Sequence, residues 1–451
     1  MLDDLRNMLG AGAVDDSPEG LASHTHDWYP GALLRDRMGT PVPGPSVVVR
    51  PRDTGEVAAV LEWAQVTSTP VVPFGGGSSV VRGIEPDGAV VIDLERLNSI
   101  SEVDEKSGLV TAGAGVTGPA LRDHLAESGY LLGHEPQSVD ISTVGGWVAT
   151  RACGQLSAKY GGIEDLVRGL EAVLPGGRIV RTKTAPRRST GPDLAGLLIG
   201  SEGALGVVTE VTLRVFPLPT ERADLCLRFE HMTEGVQGCR VLARSDLGPT
   251  MVRLYDAEDA ALFLRHHPDE PMGPLLLCSF DGDDSDLRRE RAAELIDGTS
   301  GNDDLVAHWW EHRNDAVEEF RKVMAGEGLL GPHGIVDTIE VAGTWTVLRD
   351  LYHSVKEGLS EAAGLVGCHV SHVYPDGACL YFTMGSMCKS DAEAEEVDRK
   401  WWEITMRRTL DAGGTISHHH GVGRVRAGWI EEELGEWFEV LRLIKKAIDP
   451  K

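Results

Sequence analysis

Basic residues are scarce in this chain: 43 Lys and Arg stand against 70 Asp and Glu, a formal charge of -27. A surface of that sign repels phosphate backbones and anionic membranes, which argues against nucleic-acid binding. An anionic ligand must then be held by a local nest of Arg, His and backbone N–H groups. Cysteine offers no scaffold either. Seven are present, an odd number, and none has CxxC spacing. The pattern predicts reduced thiols in a cytoplasmic compartment and speaks against disulfides or a structural zinc. The acidic first twenty residues carry no signal-peptide pattern and no spanning segment, and no repeat or low-complexity tract stands out.

What is present is ample for folding. With 451 residues, 41% of them hydrophobic, the chain can build two or three cored domains. After an irregular opening, 46–50 reads as a buried strand. Asp53 to Glu56 forms a capping pattern for a helix with Val57, Leu61 and Ala64 on one face. Strands at 71–72 and 89–93 follow, an α/β start. A strand at 109–111 leads to a helix from about Pro119, and 170–174 with 179–182 predicts a hairpin across Gly176-Gly177. The long strand 206–215 stops at Pro217 and Pro219. From about 220 to 390 the pattern alternates as in an α+β unit. Ser390 then caps a helix with Val397, Trp401 and Ile404 on its apolar face, ending at Gly413-Gly414. The expected organisation is an N-terminal segment (1–45), a cofactor-binding domain (46–218), a substrate or cap domain (219–390) and a C-terminal helical segment (391–451).

Several stretches are rich in glycine and small hydroxylated residues. Gly75-Gly76-Gly77-Ser78-Ser79 suits a pyrophosphate, because such a backbone comes close and aims its N–H groups; a plain loop is the alternative. Gly113-Ala-Gly115-Val-Thr-Gly118 matches a dinucleotide fingerprint, with Glu135 near the ribose-acid position, and keeps a nicotinamide reading open. The stretches 134–154 and 200–210 have little bulk to fill a core. They suit a flat cofactor in contact with backbone, or a tightly packed junction.

Ser417-His418-His419-His420-Gly421-Val422-Gly423 is the most unusual segment. Its three imidazoles suggest proton handling or anion contact. A surface tract and a metal site are the alternatives, but in an extended chain only His418 and His420 would face the same way.

Taken in order, 73–79, 137–154, 189–193 with 200–210, and 417–423 resemble the FAD-linked oxidases of the vanillyl-alcohol oxidase (PCMH) type. Stretches 160–167, 253–256 and 377–382 extend the likeness, which is greatest to the alkyldihydroxyacetonephosphate synthases. The resemblance implies an α+β fold: a two-lobed PCMH-type FAD-binding domain with an inserted α+β substrate (cap) domain. It implies FAD as cofactor and no metal. Pro73, Phe74, Gly75, Gly76, Gly77, Ser78 and Ser79 would hold the pyrophosphate. Gln137, Ser138, Val139, Asp140, Ile141, Ser142, Thr143, Gly145, Gly146, Thr150, Arg151, Ala152 and Cys153 would flank the ring and ribityl parts. Glu202, Gly203, Ala204, Leu205, Gly206, Val207 and Val208 would do the same from another side. Tyr381, His418, His419 and His420 match active-site residues. Arg253, Arg321, His369 and His134 match or stand near substrate-binding positions, although His369 replaces an arginine.

The implied reaction exchanges the acyl group of acyl-dihydroxyacetone phosphate for a fatty alcohol, with flavin N5 as the point of covalent attachment and no net redox change. The alternative is an FAD-dependent oxidase or dehydrogenase of a 2-hydroxy acid or other alcohol. Expected partners are a small or lipid-like phosphorylated substrate, weakly a membrane surface, and a second copy in a homodimer.

Overall fold

Three principal sheets, each with its own burial pattern, organise residues 1–450, which a computed structural model describes. In the first, Val47–Val49, Val90–Asp93 and Val71–Phe74 run parallel, with Val14–Asp15 antiparallel at the edge. Val47–Val49 and Val90–Asp93 are buried throughout, as a parallel sheet covered on both faces requires. The helix Thr54–Thr67 begins where expected: the Asp53 carboxylate accepts the Glu56 N–H at 2.9 Å. The second sheet is antiparallel, in the order Leu109–Gly113, Val207–Arg214, Val167–Leu174, Arg178–Arg181. Its hairpin turns through Gly176 and Gly177, both at φ near +80°.

The third sheet has seven antiparallel strands, from Thr299–Ser300 at one edge to Ile335–Thr344 at the other. Its register bears on function. Tyr255 pairs with His369, His369 with Tyr381, and Tyr381 with Glu340. Directly opposed residues share a face, so these four side chains form one row across four strands. Leu254, Val370, Leu380 and Phe382 point the other way, into a core shared with Leu348–Ser360 and Asp391–Asp411. Ser390 caps the latter helix, and Trp401 is fully buried on it.

The opening of the chain is not irregular. The helix Leu2–Leu9 buries Leu5 and Leu9 against the first lobe, and Pro30–Arg37 buries Leu34 in the core of the large sheet. The last helix, Trp437–Ile448, returns to the second lobe, where Ile444 and Ile448 pack and Lys445 Nζ donates to Ala204 O at 2.8 Å. Among the described residues, no helix is long and apolar enough to cross a membrane.

Candidate active site

A cavity of about 970 Å³ separates the two small sheets from the large one. One wall is backbone. A Cβ on Gly76 would stand 2.0 Å from Ile141 O, and one on Gly75 would stand 2.4 Å from Thr143 Oγ1. The loop 75–77 therefore lies directly on the loop 141–143, and only glycine permits that approach. Thr143 caps the helix Val144–Thr150. Glu202 N–H then donates to Ala149 O at 2.8 Å, which brings the loop 200–206 onto the same helix. Three stretches far apart in sequence thus form one groove. Val139, Asp140, Arg151, Ala204 and Leu205 do not line it. Val139 and Leu205 are core residues, and Arg151 instead donates to Ile199 O at 3.3 Å.

The histidine run forms the facing wall. Gly413 (φ +76°) ends the long helix, and Thr415 pairs with Ala342, which sets the next residues beside Glu340. The fully buried Glu340 carboxylate accepts N–H donors from His418 and His420 and the hydroxyl of Ser417. It also pairs with the fully buried Arg426 at 3.0 Å. Burial pushes the Glu340 carboxyl up, but Arg426, His420 and His418 outweigh it, so its pKa lies below the ordinary value. From the opposite lobe, Glu202 accepts the Val422 and Gly423 N–H groups at 2.7 and 2.8 Å. Two carboxylates, the buried Glu340 and the half-buried Glu202, therefore fix the loop from opposite sides of the cavity.

The imidazoles held this way are neutral. Burial pushes His420 down to about 4, despite opposition from Glu340, and lowers His418 and His419 as well. His419 and His420 line the cavity, whereas His418 lies behind them, bonded to His419 (Nδ1 to Nδ1, 3.0 Å) and to the Tyr374 hydroxyl at 3.0 Å. The Tyr381 ring meets His420 edge-on at 5.5 Å, and its hydroxyl donates to Thr338 Oγ1 at 3.0 Å. Burial raises the Tyr381 phenol to about 12, so it keeps its proton. Among the described residues, His418 falls into two groups with metal-ligand spacing, one with Cys153 and His372 and one with Cys379 and His419. Burial raises both thiols, which disfavours the thiolate a metal needs.

His369 stacks on Tyr381 at 4.8 Å and contacts Arg253. A guanidinium can only donate, so His369 Nε2 accepts at 3.1 Å and Nδ1 carries the proton given to Asp259 at 2.6 Å. Burial and the Arg253 charge both lower the His369 pKa, in keeping with a neutral ring. Asp259, His369 and Arg253 thus form a chain that fixes the guanidinium against the face of Trp309, 5.3 Å away.

Two expected substrate contacts lie elsewhere. Arg321 is exposed on the helix Ala316–Met324, over Trp28 and beside Glu318, and does not line the cavity; that helix contributes Phe320 and Val323 instead. His134 is buried edge-on against Trp147 at the wall of a separate cavity of about 240 Å³, with neither nitrogen partnered and its pKa pushed down to about 3. The dinucleotide fingerprint also has a structural explanation. Side chains at Gly113 and Gly115 would strike the carbonyls of Leu97 and Leu94, and Glu135 is paired with Arg313 at 2.6 Å. Glu340, Arg426 and Asp259 had no signal in the sequence; each looks like an ordinary surface charge until its partner is known.

A family model for an FAD binding domain matches residues 45–183, and one for FAD linked oxidases, C-terminal domain, matches residues 218–451. The chain belongs to the FAD-linked oxidase family. An FAD-linked oxidoreductase of Escherichia coli K12, YgcU, is 31% identical over 100% of this chain and 96% of its own length. Alkyldihydroxyacetonephosphate synthase of Caenorhabditis elegans is 31% identical over 90% of this chain and 74% of its own. D-lactate dehydrogenase of Anaerostipes hadrus is 29% identical over 90% and 87%. A solved alkyldihydroxyacetonephosphate synthase superposes with a TM-score of 0.80 at 25% identity, covering 99% of this chain and 82% of that one. The cofactor of this FAD-linked oxidase is FAD. The groove fits it: the glycines leave room for a pyrophosphate, and the space continues to the histidine wall, where a flavin ring would meet Tyr381 and His420.

Proposed function

We propose that this FAD-linked oxidase exchanges the acyl group of an acyl-dihydroxyacetone phosphate for a fatty alcohol. The observation that carries the reading is the shape of the cavity. One continuous space runs from the glycine loops past Tyr381, His419 and His420 into an apolar arm of Phe320, Val323, Leu330, Leu365 and Met384. A polar head held near the histidines and an alkyl chain in the arm would fill both parts.

FAD supplies a reversible electrophile at its ring. The chain's own residues handle protons and charge. Neutral His420 would accept the proton leaving the substrate carbon, and Tyr381, still protonated, would donate to the oxygen of the departing carboxylate. Arg253 would hold the anionic head through charge-assisted bonds, oriented by His369 and Asp259. In the balance the C–O bond between the dihydroxyacetone carbon and the acyloxy group breaks, an alkyl ether C–O bond forms at the same carbon, the alcohol's proton leaves with the fatty acid, and no electrons are gained or lost.

A second reading, dehydrogenation of a 2-hydroxy acid, is favoured by the single oriented guanidinium of Arg253, which suits one carboxylate. Anaerobic mixing separates the two. The synthase reading expects an ether product from acyl-dihydroxyacetone phosphate and a long alcohol, with the flavin oxidised at the end. Persistent bleaching of the flavin by a D-2-hydroxy acid would instead establish the second reading and sink the first.

A further inference from the structure

The cavity carries a second cluster of nitrogen side chains that neither reaction uses. Arg265, His266, His308 and His312 line its outer end, on the turn Leu264–His266 and the helix Asp304–His312. His308 and His312 are one helical turn apart and face the same way, with ring centroids 4.4 Å apart. His267 closes on His308 from the other side, also at 4.4 Å. His312 is exposed and His308 and His267 are half-buried, so these rings meet at the edge of the cavity and need few polar partners from the protein itself.

Those partners are incomplete. His312 Nδ1 reaches Asp315 at 2.8 Å, and Arg265 Nε donates to His266 Nε2 at 2.8 Å. His267 Nε2 is buried and unpartnered, and the His308 side chain makes no hydrogen bond among the described residues. Burial, then the neighbouring His267, His312 and His266, hold the pKa of His308 below its ordinary value. A nearby anion would relieve that repulsion. Of the acids around the cluster, Asp315 and, at 3.9 Å, Glu311 face His312, while Glu319 is paired with Lys322 and Glu135 with Arg313.

An aromatic partition separates this cluster from Arg253. Tyr255 and Phe263 stack at 5.2 Å, with His369 on the Tyr255 side and His308 on the Phe263 side. The cavity therefore offers two anion-binding points, an inner one suited to a single carboxylate or phosphate edge and an outer one of several nitrogens. Several convergent donors suit a group with three free oxygens and up to two charges.

We propose that Arg265, His266, His308 and His312 form a second anion-binding site, one that takes a phosphate monoester or free phosphate. The site is independent of the synthase reading; only the assignment of its phosphate to the substrate rests on that reading. Calorimetric titration of the FAD-loaded protein with inorganic phosphate, dihydroxyacetone phosphate, acetate and, separately, a zinc salt tests it. Phosphate and dihydroxyacetone phosphate are expected to bind at this site, whereas any acetate binding is expected to be lost in Arg253→Gln and unaffected by Arg265→Gln. Arg265→Gln, an exposed change, and His308→Asn should each weaken phosphate by roughly tenfold. Tighter binding of dihydroxyacetone phosphate, weakened by Arg253→Gln as well, supports the site as a substrate headgroup site; equal binding of the two supports it as a site for free phosphate. Flavin content and melting temperature show that the variants are folded. Phosphate affinity unchanged by both Arg265→Gln and His308→Asn overturns the proposal, as does binding of zinc, but not phosphate, that His308→Asn abolishes. Because no turnover is measured, failure of the synthase reading leaves the result intact.

Discussion

The glycine cradle and the histidine wall face each other across one cavity, yet they are built by opposite means. The cradle is held by close approach of glycine backbone: Gly76 against Ile141 O and Gly203 against the Pro73 ring, with the Glu202 N–H on Ala149 O. The wall is also a glycine-containing loop, but acids and bases hold it, with the buried Glu340 and Arg426 on one side and the half-buried Glu202 on the other. The difference teaches that a cofactor groove can be specified by what is absent at Cβ. A wall proposed to move protons instead draws on acids and bases fixed from several elements.

The most severe way to break this comparison is on the cradle side. Gly76→Ala places a Cβ where Ile141 O already sits, so FAD retention should fall at least ~100-fold, read from the flavin absorbance of purified protein, with the large sheet still folded. Glu340→Ala attacks the wall. It leaves Arg426 buried without its partner and should cost about 3–5 kcal/mol in denaturant unfolding. A cradle that is independent of the wall would keep FAD in this variant under native conditions.

The buried imidazoles sharpen the contrast through pH. His420 and His134 have folded-state pKa values of about 4 and about 3, below the ordinary value of 6.5. Their contribution is therefore complete above pH 6.5 and lost as pH falls toward the folded values, by up to about 1.4 kcal/mol per pH unit for each group. Unfolding followed from pH 7 to 4.5 should show a steep fall, and His134→Phe should make it shallower. The smallest effect belongs to Asp259→Asn. Freeing the His369 tautomer should loosen Arg253 and raise KM roughly tenfold, with kcat changed less.

Much of this was legible in the sequence where local chemistry decides. Asp53 and Ser390 announced their helices, Gly176-Gly177 announced a hairpin, and the glycine loops announced a cofactor groove. The PCMH-type α+β fold and FAD followed from the same stretches. What escaped depends on long-range pairing. Glu340 sits in a strand whose other polar positions look solvent-facing, and only the fold brings Arg426 and the histidine run to it. Arg321 was expected at the substrate from the family resemblance, but its helix turns that position outward and presents Phe320 and Val323. Gly113 and Gly115 mimic a nucleotide fingerprint because close backbone packing and phosphate binding select glycine for the same reason.

The central claim is that the wall performs proton transfer while the cradle only holds FAD. His420→Asn tests it directly when ether formation from acyl-dihydroxyacetone phosphate and a long alcohol is measured at equal FAD content. The account expects an unchanged flavin spectrum and turnover lower by at least ~100-fold. Turnover equal to that of the unmodified protein, or loss of FAD from the variant, would contradict it.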